Sequence, residues 1–142
     1  MIVDASVAIK WLVVEPDSPS ALDFLARAAA LSAPSILPVE VGYVLIKRVL
    51  RGQIDRVDSG RAWALFRRAE LTLDHDDADH DRAFLLALRL GVNLYDCLYL
   101  ALADRTGDVL VTADQSFVRA VRASADPALA ARVQLLSEWS GA

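Results

Sequence analysis

Apolar residues along this chain fall into short β-branched runs that alternate with longer stretches of helical period. Ile2-Val3 is cut at once by Asp4. The following Ser6-Val7-Ala8-Ile9-Lys10-Trp11-Leu12 reads as a helix with Ser6 as its N-cap. Glu15-Pro16-Asp17-Ser18-Pro19 breaks the pattern, and Ser18 or Ser20 opens a second helix to about Ala30. Leu31 to Ser35 reads as a strand that Pro34 keeps brief or near an edge. Pro38 suits the first turn of a helix running to Arg51 and closed by Gly52. Asp58 or Ser59 caps a fourth helix through Arg68, and Leu71-Thr72-Leu73 alternates as a strand. The acidic stretch from Asp74 to Asp81 reads as a loop before a helix from Arg82 to Leu90, stopped at Gly91. Tyr95 to Arg105 is the most apolar helix and ends at Gly107. Asp108 to Thr112 is a strand, Gln115 to Ala123 a helix, and Val133-Gln134-Leu135-Leu136 closes the sheet. Strands alternating with helices predict an α/β domain with a mainly parallel sheet, and the short bulk-apolar strands fit burial on both faces.

Length and composition narrow this picture. The chain has 142 residues, which predicts a single domain over 1–142. Hydrophobic residues make up 55 % and charged ones 24 %, with 6 Gly and 5 Pro, which excludes disordered, collagen-like and low-complexity classes. Cys97 is the only cysteine, so neither a disulfide framework nor a cysteine zinc cage is expected. No charged and apolar leader pattern opens the sequence, and no apolar run reaches the ~18 residues of a membrane span. A cytoplasmic protein is the expectation. The net charge of −4 excludes a uniformly basic nucleic-acid coat but leaves room for a local basic patch.

The acids carry the candidate chemistry. Asp4 and Asp114 each follow a strand directly, at the carboxyl ends where parallel α/β sheets bind ligands. Capping of the next helix is the plain alternative for either one. Asp96 lies in a helix that is apolar on every face. An exposed acid gains only ~0.3–1 kcal/mol from a helix start, whereas an ionised carboxylate in dry surroundings costs several kcal/mol unless paired or coordinated. Glu40 stands in the first turn of another apolar helix, among Val39, Val41, Val44, Leu45 and Ile46. All four would project toward one edge of the sheet and repel one another unless a cation sat among them, and hard oxygen ligands point to Mg²⁺ or Mn²⁺. Such an ion suits hydrolysis of phosphate esters. The hydroxyls of Ser6 and Thr112, and Asn93 three residues before Asp96, are placed to orient the acids or a water. A helix cap or a strand-favouring Thr explains each of them equally well.

Four stretches, Ile2-Val3-Asp4-Ala5-Ser6, Pro38-Val39-Glu40-Val41, Leu94-Tyr95-Asp96-Cys97-Leu98-Tyr99-Leu100-Ala101-Leu102-Ala103 and Val111-Thr112-Ala113-Asp114-Gln115-Ser116-Phe117, together resemble the PIN-domain nucleases. Within that family the resemblance is to the VapC-type toxins of bacterial toxin–antitoxin pairs, and it spans essentially the whole chain. It implies a three-layer α/β/α fold with about four to five short strands and a Mg²⁺- or Mn²⁺-dependent endoribonuclease acting on RNA such as tRNA or rRNA. It also implies a homodimer, and a VapB-type antitoxin that occupies the active-site groove. By position, Asp4, Glu40, Asp96 and Asp114 would be the acidic quartet, supported by Ser6 and Thr112. One departure is Tyr43, where many members carry Asn three residues after the glutamate.

Other features compete with this reading or complete it. Glu40, Val44, Lys47 and Arg51 fall on one helical stripe, so Lys47 and Arg51 can track RNA phosphates, with Lys10 or Arg48 alongside. A solvated helix end is the plain alternative. The run from Asp74 to Asp81, with His75 and His80, lacks any fixed metal-binding spacing and reads as a polar loop. Cys97 reads as a buried small residue and no nucleophile. Trp11, Trp63 and Trp139, with Phe24 and Phe66, serve the core or a partner surface. Two other function classes remain: a receiver-like domain phosphorylated on an Asp, and a PIN-like module that only binds a partner. The receiver expects adjacent acids near the first strand and a late Lys, yet the only lysines are Lys10 and Lys47.

Overall fold

The computed structural model describes residues 1–141. Five strands form one sheet: β1 (Ile2–Val3), β2 (Leu31–Pro34), β3 (Leu71–Asp74), β4 (Leu110–Thr112) and β5 (Val133–Leu135). Their spatial order is β3-β2-β1-β4-β5, and every pairing is parallel. The helices are α1 (Ala5–Ala8), α2 (Ser18–Arg27), α3 (Leu37–Leu50), α4 (Arg56–Phe66), α5 (Ala78–Leu90), α6 (Leu94–Thr106), α7 (Gln115–Ala123) and α8 (Pro127–Ala130). A 3-10 turn, Ile9–Trp11, extends α1, and another, Leu136–Glu138, follows β5.

The chain steps one way along the sheet from β1 to β3, then crosses back to β4 and β5. Right-handed crossovers therefore put α1 to α4 on one face and α5 to α7 on the other, the three-layer arrangement expected. Ile2, Val3, Leu110 and Val111 are almost wholly buried, as strands covered on both faces require. The helix α6 packs on β1, β2 and β4 and buries Cys97 and the run from Tyr99 to Ala103. Its apolar character on all sides is thus that of a central core helix. Where the sheet order reverses, β1 and β4 lie side by side, with Val3 opposite Val111. Their carboxyl ends form the crevice in which ligands bind in such sheets.

Several local expectations are corrected. Ser6 does not cap α1; Asp4 holds the N-cap position, and the Ser6 hydroxyl turns back onto the Asp4 carboxylate. Asp55 caps α4 by accepting from the Asp58 amide at 2.7 Å, which leaves Asp58 as a first-turn acid. The strand β2 is brief but interior, and Pro34 is its last residue, past the Ile2–Ser32 pairing with β1. The acidic loop is shorter than its composition suggests, because α5 begins at Ala78.

Tertiary ion pairing explains that early helix start. Arg105 on α6 donates to both carboxylate oxygens of the buried Asp79, at 2.8 and 2.9 Å, and also reaches Asp74 at 2.9 Å. Asp74 and Asp76 each accept a backbone amide two residues on, which folds the turn that leads into α5. One guanidinium therefore joins the end of β3, the start of α5 and the last turn of α6. Arg105→Ala would leave Asp79 without its partner and is expected to cost about 1–3 kcal/mol. Urea denaturation measures this, and a midpoint equal to the native one would rule out the clamp.

Candidate active site

The carboxyl edge of β1 and β4 brings all four acids into one cleft of about 680 Å³, shared with Ser6, Tyr43, Asn93 and Tyr95. Each acid arrives from a different element: Asp4 from the end of β1, Glu40 from the first turn of α3, Asp96 from the first turn of α6, and Asp114 from the N-cap of α7. This placement follows from the chain itself. Acids are tolerated where a strand ends or a helix begins, and the parallel sheet aligns those ends on one side.

Asp4 is the most enclosed. The hydroxyls of Ser6 and Thr112 lie 2.5 and 2.7 Å from the same oxygen, Oδ2. The backbone amides of Ala113 and Asp114 donate to those hydroxyls at 3.0 and 3.1 Å, so both hydroxyl protons are aimed at Asp4. Burial still raises the Asp4 pKa above its ordinary value, against the lowering effect of these hydroxyls and of the Ala5 and Ser6 amides. Oδ1 carries no side-chain donor.

Glu40 receives the phenol of Tyr99 on Oε2. Tyr99 is wholly buried, and burial together with the charge of Glu40 pushes its pKa far up, so the phenol stays a donor. Burial and then the charge of Asp4 raise Glu40, which the Tyr99 hydrogen bond only partly offsets. In the sequence Tyr99 stands out only as part of the stretch around Asp96, three residues after it, with no role of its own. That spacing puts both on one side of α6, with the tyrosine directed into the core.

Among the described residues the Asp96 side chain has neither a hydrogen-bond donor nor a cation partner. Burial, then the charges of Asp4, Asp114 and Glu40, push it up to about 7. Asp114 behaves oppositely. Burial raises it, but the Phe117 amide at 3.0 Å, the Ser116 hydroxyl at 2.7 Å and the Ser116 amide outweigh that and hold it below its ordinary value. Asp114 is thus a helix cap as well as a wall of the cleft, with Oδ2 free of side-chain donors. Asn93 also caps, accepting from the Tyr95 amide at 2.8 Å, while lining the cleft. The Cys97 thiol is buried and pushed up to about 11 by burial and by Asp96, which makes it no nucleophile.

The donor set suits a hard divalent cation. Asp4, Glu40, Asp96 and Asp114 each offer an oxygen with no side-chain donor, and no thiolate or imidazole lies among them. As placed, no three His, Cys, Asp or Glu among the described residues form a closed ligand group. Gathering the four on one ion therefore takes side-chain movement against their mutual repulsion.

The basic residues divide. Lys10 is taken up by Glu15 at 2.7 Å and Asp17 at 3.6 Å, and Arg48 also pairs with Glu15, so neither extends a free cation toward the cleft. Lys47 stands 5.1 Å above the Tyr43 ring, and Arg51 is exposed just past the end of α3. The acidic run with His75 and His80 lies in a separate cleft, three of its acids engaged by Arg105.

Residues 1–123 match the family model described as the PIN domain. Ribonuclease VapC3 of Pyrobaculum aerophilum is 30 % identical over 132 residues, covering 89 % of this chain and 98 % of that protein. Ribonuclease VapC1 of Mycobacterium tuberculosis is 28 % identical over 137 residues, covering 95 % and 96 % respectively. The crystal structure of PAE2754 from Pyrobaculum aerophilum superposes with a TM-score of 0.65 at 22 % identity, over 84 % of this chain and 77 % of that one. That last likeness bears on the fold alone.

The cleft predicts a pH-dependent stability. In the folded chain Asp96 holds its proton to about pH 7, whereas its ordinary value is 3.8. The folded state therefore binds more protons across that window and loses stability as pH rises through it. Asp96→Asn removes the charge, so in EDTA its thermal midpoint is expected to exceed the native one by roughly 3–6 °C at pH 8 and to differ little near pH 4. Circular dichroism melts decide the point; an equal gain at both pH values would show that the charge is not responsible.

Proposed function

The chain belongs to the PIN-domain family, and on that premise we propose that it is a metal-dependent endoribonuclease, the toxin of a toxin–antitoxin pair. The observation that carries this reading is Asp96. Among the described residues it is a half-buried carboxylate with no donor, raised by burial and then by the charges of the other three acids in the same cleft. A structural acid would have found a hydrogen bond or a cation, as Asp79 finds Arg105.

Asp4, Glu40, Asp96 and Asp114 are the residues that would hold Mg²⁺ or Mn²⁺. Such an ion supplies an activated water and neutralises charge on the phosphoryl oxygens. The protein's part is to anchor three of the four carboxylates. Ser6 and Thr112 fix Asp4 through one oxygen, Tyr99 fixes Glu40 through one oxygen, and the α7 cap fixes Asp114. Supports of this kind typically change metal affinity or activity by ~10–100-fold when lost. Lys47 and Arg51 continue along α3 from Glu40 and would position the RNA backbone without reading sequence.

The partners that go with this reading are a second copy of the chain and a VapB-type antitoxin that occludes the cleft. Family membership displaces the receiver-like alternative, and the intact set of four acids disfavours a silent binding module.

The native protein is expected to cut RNA in Mg²⁺ or Mn²⁺ and to stop in EDTA. Asp4→Asn or Asp96→Asn should reduce cleavage at least ~100-fold while the protein stays folded. Sequencing RNA 5′ ends after induced expression reads both the activity and its site; unchanged cleavage in either variant would sink the proposal. Tyr99→Phe should keep the fold yet weaken Mn²⁺ binding ~10-fold, read by calorimetry. Native Mn²⁺ affinity in that variant would remove Tyr99 from the site.

A further inference from the structure

A second groove, of about 640 Å³, runs between α3 and α4 and shares Val39 and Tyr43 with the acidic cleft. Its walls are carbon-rich and partly aromatic. Tyr43 is 61 % exposed and Trp63 38 % exposed. Trp63 lies close enough to α3 that a methyl group at Gly42 would come within 3.3 Å of the indole. Leaving such rings in water forgoes about 25 cal/mol for each Å² of apolar surface, so a contiguous exposed set calls for a ligand.

The rim of the groove is cationic. Residues 47–68 hold seven of the 15 Lys and Arg against only two acids, Asp55 and Asp58, in a chain whose net charge is −4. Arg48 is paired with Glu15 and Arg61 with Asp58, but Lys47, Arg56 and Arg67 have no carboxylate partner among the described residues. Two of these cations lie against the rings, Lys47 at 5.1 Å from Tyr43 and Arg67 at 6.0 Å from Trp63. Arg56 lines the groove itself.

We propose that this groove is a base-binding subsite for single-stranded RNA, in which a nucleobase next to the scissile phosphate stacks on Tyr43 while Lys47 and Arg56 take flanking phosphates. The proposal rests on the nuclease reading. A polymer with its reacting phosphate among the four acids can lay the adjoining nucleotide beside Tyr43, because Tyr43 and Val39 line both spaces. Along α3, Glu40, Tyr43 and Lys47 lie on one stripe, a carboxylate, a ring and an ammonium in succession. Aromatic rings flanked by cations are the chemistry that holds single strands with little sequence preference. Tyr43, the position at which the chain departs from its family's pattern, becomes a substrate residue.

The test uses the non-cleaving Asp96→Asn chain and two fluorescent probes of equal length, hexauridylate and an abasic ribose-phosphate hexamer, read by anisotropy. The base-bearing probe is expected to bind about 10-fold tighter, within the range of base–aromatic stacking. Adding Tyr43→Ala should abolish that preference, Tyr43→Phe should keep it, and Arg56→Ala should weaken both probes alike. Equal binding of the two probes, no binding of either, or a preference that survives Tyr43→Ala overturns the subsite. So does a Tyr43→Ala chain whose base preference is intact but whose oligomeric state changes in sedimentation, since the groove is then a protein interface. Failure of the native chain to cut RNA in Mn²⁺ would instead overturn the nuclease reading.

Discussion

Gathering four carboxylates where water is partly excluded is the constraint around which this fold is arranged. An ion taken out of water costs several kcal/mol even after relaxation, and like charges add to that. The protein meets the cost unevenly. Asp4, the most buried, receives two hydroxyls that are themselves oriented by backbone amides. Asp114 doubles as a helix cap, Glu40 leans on a core tyrosine, and Asp96 is left with nothing. Support is therefore graded, and the least supported group marks where an external positive charge has most to contribute.

The larger organisation was legible in the sequence because it rests on local signals. Glycine stops at Gly91 and Gly107, short β-branched runs, and Pro38 in a first turn each report on their own neighbourhood, and each is where it was expected. The four acids were legible for a related reason: strand ends and helix starts are local features, and a parallel sheet gathers them on one edge. Residues whose partners are distant in sequence were not legible. Asp79 looked like loop because Arg105 is 26 residues away, and Tyr99 looked like core because Glu40 is 59 residues away. Lys10 looked available for RNA even though its partners, Glu15 and Asp17, follow it closely in sequence. Composition carries no information about which charges are already paired.

The distribution of charge matters more than its sum. The carboxyl edge of the sheet is acidic, whereas the limb formed by the end of α3 and by α4 is basic. The two meet along a single stripe of α3. A polyanion approaching this surface would meet attraction on one side and repulsion on the other, and a cation among the acids would reverse the sign of the cleft. Overall acidity of the chain is then no obstacle to a polyanionic substrate.

The hydroxyl relay at Asp4 has a consequence for synthesis. Thr112 lies 108 residues after the carboxylate that it holds, and the amides of Ala113 and Asp114 complete the arrangement. Contacts so far apart in sequence form only after most of the chain is available to fold. While the ribosome is still delivering the first hundred or so residues, Asp4 has emerged without Thr112, β4 or Asp114. The four-carboxylate cleft is therefore completed late and all at once, with the docking of β4 beside β1. A growing polypeptide presents Asp4 long before the cleft that encloses it exists.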